Sequence, residues 1–411
     1  MQTITLAHKR TRYESIVLQL LSKMDKGSID IYLPSGEHVK LGTGVGSIHA
    51  SIHITDTRFF EKCVLYGDIG FGESYVDRYW ETESITDVIK WFLLNVDSAP
   101  TVSGSKLKAG IVNVLKVINR IKHSLRKNDL TTAKANIAEH YDLNNDFFKL
   151  FLDPTMTYSS AYFEDNEMDL SKAQVAKYEA LCRSMKIKPG DHVLEIGSGW
   201  GGNAIHLAKN YNCKVTTVTI SQEQFNYAKE QVEKENLTGK VEVKLIDYRL
   251  INGQFDKIIS IEMLEAVGHE FLDVFFKKCN DLLKPKGVLG FQVITCPDSR
   301  YDSLCKGVDW MQKHIFPGSL LPSVAALNTS INRTGEMTLM SLKEMGLHYA
   351  QTLRMWKKKF NENLDEVRKL GFDEKFIRKW NYYLSYCEAA FDMRNISVMQ
   401  MVYTRPNNLE F

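Results

Sequence analysis

Closely spaced cysteines are missing from this chain. Its seven cysteines, Cys63, Cys182, Cys213, Cys279, Cys296, Cys305 and Cys387, are odd in number and scattered, with no Cys-x-x-Cys pair among them. That gives no zinc-site spacing and fits a reducing, cytoplasmic compartment. No metal site is expected. Long apolar runs are missing too: nowhere do about 18 apolar residues follow one another, so no segment reads as a spanning helix. The early stretch "SIVLQLLSKM" is too short for a signal peptide, and no small-residue cleavage site follows it. Membrane contact would have to be made from the side. Excess charge is also lacking. A formal net charge of +2 argues against a general nucleic-acid surface, because phosphate binding needs Lys and Arg in excess.

What is present is the composition of a chain that buries a sizeable interior, 44% hydrophobic and 25% charged over 411 residues. That length is too great for one typical core and implies two domains, one of them large. Residues 1–100 read as a small α+β, lipid-binding-like domain. In it "SIDIYLPSGEHVKLG" forms two short strands around a Ser-Gly turn, and "SITDVIKWFLLN" a helix capped by Ser84 or Thr86. "DSAPTVSGSKLKAG" marks a linker, and residues 101–135 form a basic helix. There Ile111, Val114, Leu115, Ile118, Ile121 and Leu125 share one face, beside Lys106, Lys108, Lys116, Arg120, Lys122, Arg126 and Lys127. Such a helix can lie on anionic lipid, each basic residue near the surface contributing about 1 kcal/mol. From this segment alone the simpler reading is a connecting helix packed between the domains with its charges in solvent.

Residues 136–411 form the large domain. From about residue 190 strands and helices alternate: "HVLEIG", "KVTTVT", "VEVKLID", "FDKIISIEM" and "GVLGFQVIT", the last after a helix ending in "KPKG". Val- and Ile-rich strands separated by amphipathic helices imply an α/β fold with a mostly parallel sheet covered on both faces. In such a sheet the ligand sits outside the carboxyl ends of the strands. The turn "IGSGWGG" occupies that place. Gly197, Gly199 and Gly202 fit the spacing of a dinucleotide loop; Gly197, Gly199 and Gly201 fit the loop under S-adenosylmethionine. A dinucleotide wants an acidic residue about 20 residues on, to hold its ribose, yet "TVTISQEQ" places Thr219 there. The acidic residue is missing for S-adenosylmethionine as well, so the local pattern leaves both readings open.

A wider set of motifs resembles the cyclopropane-fatty-acyl-phospholipid synthase family, including the related mycolic acid cyclopropane synthases. The matching stretches are "HYDLNNDFFKLFLDPTMTYSSAYF", "VLEIGSGWGG", "TVTISQEQ", "FDKIISIEMLEAVG", "IFPGSLLPS", "HYAQTLRMW" and "CEAAFDMRNISVMQMVY". They occur in family order over about residues 139 to 403, and "GDIGFGESYVDRYW" looks like the N-terminal domain of the phospholipid-acting members. The resemblance implies a class I S-adenosylmethionine-dependent methyltransferase, Rossmann-like, with a seven-stranded sheet. It implies cofactor contacts from Tyr158 and Ser159, from Gly197, Ser198, Gly199 and Gly201, and from Thr219, Ile220, Ser221, Gln222 and Gln224. Asp247, Tyr248 and Arg249 follow on the adenine side.

The reaction so implied is methyl transfer to the double bond of an unsaturated fatty acyl chain of membrane phospholipid. The alkene becomes a carbocation, which calls for a dry site able to stabilise positive charge. Tyr162, Phe163, Trp310, Phe316 and Tyr349 are aromatic candidates. Ring closure needs a base, which the resemblance supplies as a bound bicarbonate gripped by Glu, Tyr, His and Cys. Glu265 and Tyr349 match the first two. Ser160 stands at the Cys position and Gln292 at the His position, so the product could be a cyclopropane or a methylene or methyl branch. Cys387 matches a family cysteine once regarded as a nucleophile, although a buried packing role is the simpler reading. His269 beside Glu270 suggests an acid-base pair, or a loop residue.

The resemblance implies a peripheral place on the inner face of the membrane and compatibility with a homodimer. Two further readings stand beside it: a methyltransferase acting on a soluble acceptor, and a lipid-binding homologue without catalysis.

Overall fold

The computed structural model describes residues 10–44, 46, 48–97, 143–165 and 167–411. The basic segment 101–135 lies outside the described residues. Its reading as a helix therefore rests on sequence alone.

The N-terminal residues build a four-stranded sheet in the order β2-β1-β3-β4, from β1 (Ser28–Tyr32), β2 (His38–Leu41), β3 (His49–Ile54) and β4 (Trp80–Glu81). The turn between β1 and β2 contains Gly36 at a φ of +84°, a conformation glycine adopts without steric cost. The helix Ile85–Leu94 begins at Ser84, whose hydroxyl accepts the Asp87 N–H at 3.2 Å; of the two capping candidates Ser84 fills the role. Thr86 points elsewhere, donating to the Glu388 carboxylate at 3.1 Å.

That last contact belongs to the packing of the N-terminal layers against the end of the chain. Phe60, Trp80 and Trp91 share one apolar cluster with Trp356, Trp380 and Tyr383, and the helix Ile85–Leu94 packs on the long helix Glu374–Asp392. Within this contact Glu388 also accepts from Arg354 Nε at 3.0 Å and Lys357 Nζ at 2.5 Å. A carboxylate this buried is tolerated because each oxygen has a charged donor.

The second sheet has seven strands, ordered β10-β11-β9-β8-β5-β6-β7. They are β5 (His192–Ile196), β6 (Lys214–Thr219), β7 (Val241–Leu245), β8 (Phe255–Ile261), β9 (Leu283–Thr295), β10 (Thr338–Glu344) and β11 (Ser397–Thr404). Strands β7-β6-β5-β8-β9 run parallel, and β11 lies antiparallel to both β9 and β10. This is the mostly parallel α/β sheet expected, with separate apolar clusters on its two faces. One boundary differs. The helix ends at Leu282, and "KPKG" belongs to β9, where the register with β8 shifts between Phe255 and Lys257. Pro285 has no N–H to donate and cannot continue a helix, so the chain turns to strand ahead of it. Strand order reverses at β5, between β6 and β8, and a crevice opens there at the carboxyl ends.

Candidate active site

The glycine turn leaves β5 and enters the helix Gly202–Asn210 with Gly197, Gly199 and Gly201 at φ of +94°, +48° and +94°. The Gly197 and Ser198 N–H groups donate to the Val218 carbonyl at 3.0 and 2.9 Å, tying the turn to β6. A Cβ on Gly201 would stand 3.2 Å from Ala228 Cβ, whereas one on Gly199 would meet nothing within 4 Å. Gly201 is thus a packing glycine. Gly199 faces open space in a cavity of about 180 Å³ that it helps to line.

Of the residues expected at the cofactor, Tyr158, Ser159, Gly197, Ser198, Gly199, Thr219, Ile220, Gln224, Asp247, Tyr248 and Arg249 line this cavity. Gly201, Ser221 and Gln222 do not. Ser221 caps the helix Gln222–Lys234 by accepting the Gln224 N–H, and exposed Gln222 donates to Asn226. Thr219 donates to Gln224 at 2.9 Å, which holds the end of β6 toward the cavity. Arg249 is paired with Asp247 at 2.6 Å, so its charge is already met by a neighbouring carboxylate.

A second group of side chains meets at the end of β8, beside the same cavity. Glu262 lines it and sits at a φ of +49°, in the left-handed region that costs a non-glycine residue energy. Its Oε1 accepts the Ser160 backbone N–H at 2.9 Å and Gln292 Nε2 at 2.7 Å. The Tyr349 hydroxyl hydrogen-bonds to the same carboxylate. Gln292 can aim its amide nitrogen this way because its Oε1 accepts from Gln400 at 3.0 Å across the β9–β11 pair. Tyr349 is held by ring contacts with Phe391 at 4.6 Å and Trp356 at 6.0 Å. Burial pushes the Glu262 carboxyl up, opposed by the Gln292 bond and the Lys177 charge. Lys177, fully buried and brought down to about 7 by that burial, donates to Ser159 Oγ at 2.6 Å.

Ser160, Gln292 and Tyr349 are therefore brought together, but around Glu262, which sequence reasoning passed over in favour of Glu265. Ser160 takes part through its backbone N–H; its hydroxyl turns away to the Ala161 carbonyl at 3.0 Å. Glu265 does not line the cavity. Its Oε1 accepts the Ile294 N–H at 2.5 Å, and its Oε2 has no hydrogen-bond partner among the described residues. A bound bicarbonate does not fit this arrangement: the donors that would grip it converge on a carboxylate of the chain itself, and Glu265 is close enough to interact electrostatically with Glu262. Cys387 lies in the apolar cluster with its thiol pushed far up by burial, which gives it a packing role. Lys343 stands 4.0 Å over the Tyr162 ring, so that face already carries a cation. Trp310 packs on Tyr382 at 4.6 Å, and Phe316 on Tyr383 at 5.7 Å. Phe163 belongs to a separate small cluster. His269 bonds to the Tyr301 hydroxyl at 2.6 Å, a loop-holding contact.

Two more buried ionisable residues escaped sequence reasoning, although both carried a signal. Lys177 interrupts the apolar stripe Ala173, Ala176, Ala180 and Leu181 of its helix. Glu195 interrupts an otherwise apolar strand; it lines the cavity, accepts from Asn203 at 2.7 Å and from Thr217, and burial pushes it to about 7.

Burial also pushes Glu265 to about 8, from an ordinary 4.5, with the charge of Glu262 adding to the rise. The folded state then keeps a proton that the unfolded chain releases. Glu265 therefore costs stability progressively as pH rises from about 4.5 to about 8. Glu265→Gln should match the parent near the bottom of that window and exceed it by about 1–3 kcal/mol above its top, by denaturant unfolding. Curves that stay parallel across the window would contradict the assignment.

The glycine turn at the switch point of this sheet, with space left open beside Gly199, is the cofactor site of a class I S-adenosylmethionine-dependent methyltransferase, the class of its structural relatives. The mycolic acid cyclopropane synthetase family matches residues 128–401, and the chain belongs to that family. It is 37% identical to the tuberculostearic acid methyltransferase UfaA1 of Mycobacterium tuberculosis over 83% of this chain and 79% of that protein. It is 36% identical to the cyclopropane-fatty-acyl-phospholipid synthase of Escherichia coli over 88% of this chain and 89% of that protein. The crystal structure of the mycolic acid cyclopropane synthase CmaA1 complexed with SAH and CTAB superposes with a TM-score of 0.61 at 31% identity, covering 66% of this chain and 98% of CmaA1.

Proposed function

We propose that this enzyme methylates the carbon-carbon double bond of an unsaturated acyl chain in membrane phospholipid and closes the product to a cyclopropane. The observation that carries the reading is the junction of a cofactor cavity with a buried, proton-accepting group at Glu262 and Tyr349. S-adenosylmethionine supplies an electrophilic methyl when bound. The chain's own residues do the rest. Tyr158, bonded to Tyr383 at 2.7 Å and stacked on Trp356 at 5.2 Å, presents an aromatic wall between the cavity and the core. Aromatic faces stabilise a passing cation without reacting with it, and the donors around Glu262 hold a carboxylate where a proton must leave.

The phospholipid substrate is supported by similarity to the Escherichia coli synthase and by the basic segment around Lys106 to Lys127. No helix among the described residues is long and apolar enough to cross a membrane. Incubation with unsaturated phospholipid vesicles and methyl-labelled S-adenosylmethionine should place label in the acyl chains, with cyclopropane protons in the NMR spectrum and flotation of the protein with anionic vesicles. Transfer only to a soluble acceptor would overturn the lipid reading. A second reading is a methylene or methyl branch on the same chain, favoured by similarity to a tuberculostearic acid methyltransferase and by Ser160 and Gln292. It would show as label without ring protons.

A further inference from the structure

The reaction proposed above must end with loss of a proton, and the place where that proton goes is the part of the site that departs most from a bicarbonate-holding arrangement. We propose that Glu262 is the built-in base of this enzyme, taking the role that the resemblance gives to an external anion, so that catalysis proceeds without bicarbonate. The inference rests on the methyltransfer reading and adds to it the identity of the base.

Position is the first argument. Glu262 directly follows β8 at the switch point, lines the cofactor cavity and is held by three donors from separate parts of the chain: the Ser160 N–H, the Gln292 amide and the Tyr349 hydroxyl. Such a grip fixes a carboxylate without taking every lone pair. Conformation is the second. A φ of +49° is unfavourable for glutamate, and a strained residue is retained only where its surroundings over-determine it. Here the surroundings are donors aimed at its carboxylate. Charge is the third. The positive charge of Lys177 favours the ionised form of Glu262, while Glu265, pushed up to about 8 by burial, keeps its proton near neutral pH and adds no second negative charge there. An added bicarbonate would face a fixed carboxylate and find its donors taken.

The step balances without a further reactant. The π pair of the alkene forms the new bond to the transferred methyl carbon, and the carbon-sulfur pair leaves with sulfur. A C–H bond of that methyl then gives its proton to a Glu262 oxygen, and its electron pair closes the ring carbon-carbon bond. On product release the carboxyl returns the proton to solvent. If a hydride shift precedes proton loss, the same base yields a methylene branch.

The test compares the parent enzyme with Glu262→Gly, which the left-handed backbone accommodates, and with Glu262→Gln. Three measurements are made: label transfer to unsaturated phospholipid vesicles in bicarbonate-free and bicarbonate-supplemented buffer, binding of [13C]bicarbonate by NMR line broadening, and calorimetry with S-adenosylhomocysteine. The parent should be indifferent to bicarbonate and should not broaden its signal. Both variants should lose about 100-fold or more in turnover in bicarbonate-free buffer, the usual scale for a general base. Glu262→Gly should broaden the signal and regain turnover on adding bicarbonate; Glu262→Gln should not regain it. Calorimetry with S-adenosylhomocysteine should give near-parent affinity for both variants, showing that the cofactor cavity is intact. Bicarbonate dependence or binding in the parent, or undiminished turnover of Glu262→Gly without bicarbonate, overturns the assignment. Absence of label from lipid with the parent enzyme overturns instead the substrate reading on which the assignment stands.

Discussion

Gly199→Val strongly weakens binding of S-adenosylhomocysteine while the protein still unfolds cooperatively. A Cβ at this position meets no protein atom within 4 Å, so the branched side chain has room in the protein and occupies the cavity that Gly199 lines. The φ of +48° adds a backbone penalty, about 1–2 kcal/mol for a residue with a Cβ in this region, which lowers stability modestly. The volume placed in the cavity falls on the ligand instead. Affinity should drop by about 100-fold or more, equivalent to about 2.7 kcal/mol. Gly201→Val is the contrasting variant: its Cβ would press on Ala228 at 3.2 Å, so its effect should appear chiefly as lost stability. Titration calorimetry with thermal unfolding separates the two. An affinity for Gly199→Val within about threefold of the parent, well under 1 kcal/mol, would show that the cofactor does not approach this turn.

Tyr349→Phe lowers turnover by about 10- to 100-fold and leaves cofactor affinity nearly unchanged. The hydroxyl is one of the groups bonded to the Glu262 carboxylate, and a hydrogen bond to a charged group contributes about 1.5–3 kcal/mol. Its ring, against Phe391 and Trp356, is kept by phenylalanine, so packing and fold should survive. Burial and the charge of Glu262 hold the phenol far above its ordinary range; it stays protonated and serves as a donor. The effect should therefore fall on kcat rather than KM, because the carboxylate it orients acts after substrate is bound. Unchanged kcat would mean that Tyr349 is only a wall of the apolar cluster.

Much of the architecture was legible because it depends on short-range pattern. Alternation of Val- and Ile-rich runs with amphipathic stretches implies a covered parallel sheet, and β5 to β9 lie in those runs. The glycine turn was legible for the same reason: three positive-φ positions directly after a strand leave few residue choices other than glycine. The boundary before β9 was misplaced because a proline within a basic tetrapeptide, "KPKG", can follow a helix or open a strand, and pairing with β8 decided the matter.

The catalytic assignments divide differently. "IEMLEAVG" contains Glu262 and Glu265 three residues apart, and nothing local says which faces the cavity. That depends on the left-handed turn at Glu262, which swings its side chain toward the Ser160 N–H, 102 residues distant in sequence. Likewise, Ser160 meets Glu262 through its backbone N–H and not its hydroxyl, which the residue type at that position does not reveal.

The sequence by itself determined strands β5 to β9 and the switch-point turn, because periodicity and glycine placement act through neighbouring residues, while the family was carried by the ordered set of motifs it resembles. Only the tertiary structure decided which carboxylate meets Ser160, Gln292 and Tyr349, because those donors come from segments joined solely by strand pairing and core packing. Hydrogen-bond geometry and desolvation depend on that spatial company, and a linear pattern does not contain it.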